Sequence, residues 1–146
     1  MQEEIVSFQV AKLAKEKGFN LETHDYFSKD KYRSEFNHNV GFNDDYWGDN
    51  YVYDWNTNGE PFKPFNKECY SRPTQSLLQK WLREVHGIII EITWQMCSTD
   101  YEYAIIDMNN PPKYEDDIER IIGFKTYEET LEEGLYEGLK LIKGLK

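Results

Sequence analysis

Apolar positions along the chain switch between helical and alternating spacing, and each switch predicts an element. Ile5-Val6-Ser7-Phe8 leads into Val10, Ala11, Leu13 and Ala14, an apolar stripe that runs to Lys17. Ser7 can accept from the free amides of a first helical turn, and Gly18 supplies the left-handed residue that ends many helices, so the spacing predicts a helix over 8–17. Further on, Leu77, Leu78, Trp81, Leu82 and Val85 form one helix face. Pro73 is expected in its first turn, where a missing amide does no harm, and Gly87 stops it. Ile88 to Trp94 then alternates, with Ile88, Ile90, Ile92 and Trp94 on one side, and Tyr101 to Met108 returns after a turn. That predicts an antiparallel hairpin of 88–94 with 101–108, closed off by Asn109-Asn110-Pro111-Pro112.

The last helix is signalled by a capping box, Thr126-Tyr127-Glu128-Glu129, and by the stripe Tyr127, Leu131, Leu135, Leu139 and Ile142. Glutamates gather near its start and lysines near its end, as the macrodipole favours. Gly134 and Gly138 lie one turn apart inside it. Each costs a helix interior ~1 kcal/mol against Ala, so a strand or helix is expected to approach closely there. Leu78, Trp81, Leu82, Ile90, Ile92, Leu131 and Leu135 are expected to share one core.

Residues 19–70 have no helical period and few aliphatics; aromatics interleave with Asn, Asp and Gly instead. Tyr51-Val52-Tyr53-Asp54-Trp55 alternates and predicts a strand, with a tight turn at Asn58-Gly59 behind it. His24-Asp25-Tyr26-Phe27 is the strand expected to pair with 51–55, and 28–50 reads as a long polar loop. The order is α-ββ-α-ββ-α: an α+β fold with a mostly antiparallel sheet and about three helices. Residues 1–146 are expected to form a single domain, with 19–70 irregular and aromatic-rich and 71–146 a helix-hairpin-helix unit.

Charge narrows the function. Acids outnumber bases 27 to 17, for a net charge of −10, and residues 100–137 alone hold twelve acids against three bases. Binding through bare phosphate attraction needs clustered Lys and Arg, so nucleic acid is disfavoured, whereas a basic partner would be steered toward the acidic region. No apolar run approaches the ~20 residues that span a bilayer, and the first residues lack a signal-peptide core. With only Cys69 and Cys97, a disulfide framework is not expected, and the chain reads as cytoplasmic.

Three blocks resemble a known group. IVSFQVAKLAKEKGF, SRPTQSLLQKWLREVHGI and TYEETLEEGLYEGLKLIK are similar to segments of small uncharacterised proteins of Bacteroidetes bacteria and of their phages and prophages. The resemblance covers about half the chain and leaves out 20–70. It implies a phage or prophage setting and no activity, cofactor or catalytic residue.

Few residue patterns carry chemistry. Asp54, Asn56 and Asn58 followed by Gly59 match the first half of a calcium loop, but Phe65 stands where the bidentate glutamate belongs. A strand ending in an Asn-Gly turn explains the segment better, and no metal is expected. His24, His38 and His86 follow no ligand spacing, and His86 is read as a cation at a helix C-terminus. No nucleophile elbow, phosphate loop or Cys-x-x-Cys pair occurs, so neither catalytic residues nor a cofactor are expected. The aromatic segment 42–65 is the candidate surface: Tyr46, Trp47, Tyr51 and Trp55 are expected to include at least two exposed rings suited to contact. The reading is a non-catalytic, phage- or prophage-associated module that binds a protein partner, with basic partners favoured and the oligomeric state open. A small-ligand-binding protein or enzyme with a pocket formed by 42–65 is the alternative, and a single-stranded nucleic-acid binder the next.

Overall fold

The computed structural model describes residues 4–29, 36–39, 54–58 and 69–143. Their contacts divide the chain into two compact units, Ile5–Pro73 and Thr74–Gly144, the second also taking in the first residues of the chain. Each holds one three-stranded antiparallel sheet, so the chain is α+β.

In the unit Ile5–Pro73, helix α1 (Phe8–Glu16) begins where Ser7 Oγ accepts from the Val10 amide, and Gly18 behind it takes φ 92°. Val10, Ala11 and Ala14 are buried. Strand β1 (Asp25–Lys29) is central, flanked by β2 (Phe36–Asn39) and β3 (Cys69–Arg72). Phe8 sets its ring edge-on to Phe27 of β1 and Tyr70 of β3. Lys15 Nζ donates to the Cys69 carbonyl at 2.6 Å and lies over the Tyr70 ring. Burial there lowers the lysine's pKa, and the nearby Cys69 opposes the shift.

Two expectations for this unit are corrected. Trp55 opens a short helix, α2 (Trp55–Asn58), and does not end a strand. Asp54 Oδ1 accepts from the Thr57 amide and caps the turn. The partner of β1 is therefore not 51–55 but β3 on one side and β2, inside the expected loop, on the other. Cys69 opens β3.

In the unit Thr74–Gly144, Thr74 Oγ1 caps helix α3 (Gln75–His86) by accepting from the Leu77 amide, so Pro73 lies just before the cap and not in the first turn. Gly87 ends α3 at φ 67°. Strands β4 (Ile88–Gln95), β5 (Asp100–Asp107) and β6 (Arg120–Phe124) follow in chain order across the sheet. Helix α4 (Tyr127–Lys140) is capped by Thr126 Oγ1, which accepts from the Glu129 amide.

Helix α4 lies across β4 and β5, and α3 packs on α4 and β4. Leu78, Trp81, Leu82, Ile90, Leu131 and Leu135 are buried, while Ile92 is half-buried. The glycine pair makes the close approach its sequence predicts: Gly138 faces Ile88 and Ile90, and Gly134 faces Ile90 and Tyr103. The helix starts beside Tyr101, whose ring meets that of Tyr127 edge-on, and Trp94, the cross-strand partner of Tyr101 near the end of β4, stands 49% exposed.

His86 is also corrected. Its ring packs edge-on against Trp81 at 4.6 Å, its buried Nε2 has no hydrogen-bond partner, and burial lowers its pKa. The folded state thus favours the neutral ring, not a cation at the helix end. Below about pH 6.5 the unfolded chain takes a proton that the folded ring resists, so this contribution to stability is lost as pH falls through the folded-state value. NMR titration should place His86 below the ordinary imidazole midpoint. His86→Leu should flatten the loss of stability between about pH 7 and pH 5; an unchanged slope would show that another group controls it.

Candidate functional site

Of the aromatic residues expected to bind, Tyr46, Trp47 and Tyr51 lie outside the described residues, as does most of 42–65. Trp55 is described only as the first residue of α2. Around it, the calcium-like residues serve the fold. Asn56 Oδ1 accepts from the Ser71 amide at 2.7 Å, Asn56 Nδ2 donates to the Phe19 carbonyl at 2.9 Å, and the Asn56 amide donates to Ser71 Oγ. Both side-chain atoms of Asn56 are engaged with the protein, and Asp54 holds the cap of α2. Asn58 is the last residue of that helix, and Gly59, the other half of the expected turn, lies outside the described residues. Among the described residues no group of three His, Cys, Asp or Glu side chains could hold a metal.

The best-defined candidate surface is in the other unit, on a strand that the sequence reading did not assign. β6 pairs with β5 along one edge, and among the described residues its other edge carries no strand. Tyr103 pairs with Ile121 and Glu102 with Ile122, so Ile121 shares the α4 face of the sheet and Ile122 the opposite face. Ile121 is 37% and Ile122 49% exposed. Between Tyr101 and Glu102 the register shifts, because β6 has one residue more than β5, Gly123. Gly123 takes φ 121° with open space around it, a conformation that side chains rarely adopt.

Of the two cations of this segment, Arg120 is held inward and Lys125 stays largely exposed. Arg120 Nη1 reaches Glu91 at 3.3 Å and the buried Glu102 at 3.7 Å, and Gln95 Nε2 donates to Glu102 Oε1 at 2.7 Å. This network satisfies a carboxylate that burial would otherwise disfavour. Lys125 pairs with Asp100 on β5.

The carboxylates on the α4 side are arranged differently. Tyr103 is only 6% exposed, and its ring packs beside Phe124 and beneath Gly134. Burial raises the pKa of its hydroxyl, and Glu137, Glu133 and Glu119 add to the rise in that order. Two carboxylates from α4 and one from the lead into β6 therefore lie near enough to this hydroxyl to disfavour its ionised form. That hydroxyl has no hydrogen-bond partner among the described residues. Glu137 pairs with Lys140; Glu119 and Glu133 have no cation partner there. Just upstream, Glu115, Asp116 and Asp117 form a 3-10 turn in which Asp117 Oδ2 accepts from the Tyr114 amide.

The signal that could have located β6 is small: adjacent β-branched residues, Ile121-Ile122, between an acidic run and the cap at Thr126. No family model, no curated protein and no solved structure matches the chain.

Proposed function

We propose that the chain is a small, acidic, non-catalytic module that binds another protein, and that the outer edge of β6 is where it does so. The observation that carries this reading is the edge itself: among the described residues the outer edge of β6 carries no strand, and two exposed isoleucines stand on its opposite faces in a surround of carboxylates. Proteins usually blunt such edges with Lys, Pro or a covering element, because bare ladder groups recruit strands. Here the strand's own cation, Arg120, turns inward and leaves the isoleucines uncovered. A phage or prophage setting belongs to the proposal and is supported by the resemblance of the three sequence blocks. A cytoplasmic setting is supported by two cysteines outside any disulfide, Cys69 buried and Cys97 exposed. Among the described residues no helix is long and apolar enough to cross a membrane.

The test is a photo-reactive residue at position 122, expressed in cells, with position 85 as a control on the exposed end of α3. A discrete heterologous protein cross-linked from 122 and not from 85 is expected. Equal cross-linking from both positions, or none from 122, would overturn the reading.

A further inference from the structure

We infer that the occupant of the β6 edge is an extended segment of another protein in which Lys or Arg alternates with apolar residues, added to the sheet as its fourth strand. The inference rests on the reading that β6 is a binding edge and specifies what binds there.

Strand addition follows from geometry. An extended segment beside β6 would pair with its free backbone groups, and its side chains would alternate between the two faces. On the α4 face those side chains meet Ile121 and, beyond it, the carboxylates of Glu119, Glu133 and Glu137 around the Tyr103 hydroxyl. On the other face they meet Ile122, half exposed, with Arg120 already held by Glu91 and Glu102. The α4 face thus adds carboxylates to its isoleucine, whereas the charges beside Ile122 are already paired, so cations on one face and apolar groups on the other suit the edge, which is the period-two pattern of a strand.

Charge favours a foreign basic strand over a second copy of this chain. From Glu115 to Glu137 nine acids stand against two bases, and both bases are engaged with carboxylates of their own sheet. Two copies meeting edge to edge would bring these acidic segments together, and each copy carries a net charge of −10. A Lys or Arg from a partner instead finds carboxylates already placed, two of them without a cation among the described residues. The Tyr103 hydroxyl is a second acceptor beside them, with no hydrogen-bond partner among the described residues.

The probe is a panel of short fluorescent peptides in which Lys or Arg alternates with Val, Ile or Thr, titrated onto the full chain. Controls have the same composition in blocks, Glu in place of the basic residue, or N-methyl groups on alternate amides. The alternating basic peptides should bind and slow amide exchange in β6, and N-methylation along the pairing edge should abolish binding. Glu133→Gln together with Glu137→Gln should weaken binding about tenfold at low salt, and added salt should shrink that difference. Equal binding of blocked or N-methylated peptides would reduce the effect to charge adsorption and overturn the inference. So would no binding by any member of the panel, or a position-122 cross-link that joins two copies of the chain. If the panel fails while position 122 still captures a discrete protein, the binding edge stands and its basic occupant does not. Failure of both removes the edge as a site.

Discussion

Leu82→Ala is expected to lower the unfolding free energy by about 2–5 kcal/mol, the range for deleting a fully buried leucine side chain. Leu82 is completely buried on the face of α3 that packs on α4 and β4. Truncation there removes apolar contact and leaves a cavity that a helix held at both ends cannot close. Thr74 fixes its start and Gly87 its stop, so the helix has little freedom to slide inward. In urea the midpoint should fall with the slope unchanged, because the surface exposed on unfolding is nearly the same. Val85→Ala on the exposed end of the same helix serves as the control, and should change stability by no more than about half a kcal/mol. A loss at Leu82 as small as that control would remove Leu82 from the core.

Gly134→Ala is expected to destabilise, although alanine is the better helix former. A Cβ at position 134 would sit 2.8 Å from Ile90 Cγ2. That methyl is on a β-branched carbon whose rotamer is stiff, so it cannot swing away as the tip of a long side chain could. Overpacking of this kind costs about 1–3 kcal/mol, which exceeds the ~1 kcal/mol that the helix gains in propensity. At Gly138 the nearest atom is Ile90 Cδ1 at 3.1 Å, the mobile end of the same side chain. Gly138→Ala should therefore be near neutral. The decisive measurement is a double-mutant cycle. In an Ile90→Ala background the obstructing methyl is gone, and Gly134→Ala should turn from destabilising to stabilising. A destabilisation that persists in that background would show that the glycine is needed for another reason than its distance from Ile90.

What could be read in the sequence was whatever local chemistry decides. Helices α1 and α4 carry a hydroxyl cap and an apolar stripe, α3 has Thr74 before it and Gly87 behind it, and β4 with β5 alternates over a full hairpin. Those signals need no distant partner to take effect. The Cys-Tyr-Ser-Arg segment of β3 has no such signal, and becomes a strand by pairing with β1. Trp55 illustrates the converse. Its stretch alternates like a strand, yet Asp54 caps a turn of helix there and Asn56 ties that turn to Ser71. Polar side chains bonding to backbone outweighed a weak alternation. The candidate edge was hidden for the same reason as β3: a five-residue strand is defined mostly by its neighbour. The acidic character around it was legible from charge alone, but the nearness of Glu119, Glu133 and Glu137 to Tyr103 required the register of β5 with β6 and the placing of α4.

The sheet of the Thr74–Gly144 unit is a meander, each strand joined to the next along the chain, so its ladders close over short spans and lose little chain entropy in doing so. The other sheet differs, because Phe27 of β1 must find Tyr70 of β3 across a long intervening segment. Contact order therefore makes the half translated later the quicker to fold. On the ribosome the first half has β1 exposed until Arg72 has emerged, and the second half can close soon after its last helix is free. At about 5–20 residues per second the second half emerges several seconds after the first, longer than most small units take to fold, so the order of synthesis and not contact order decides which half is native first.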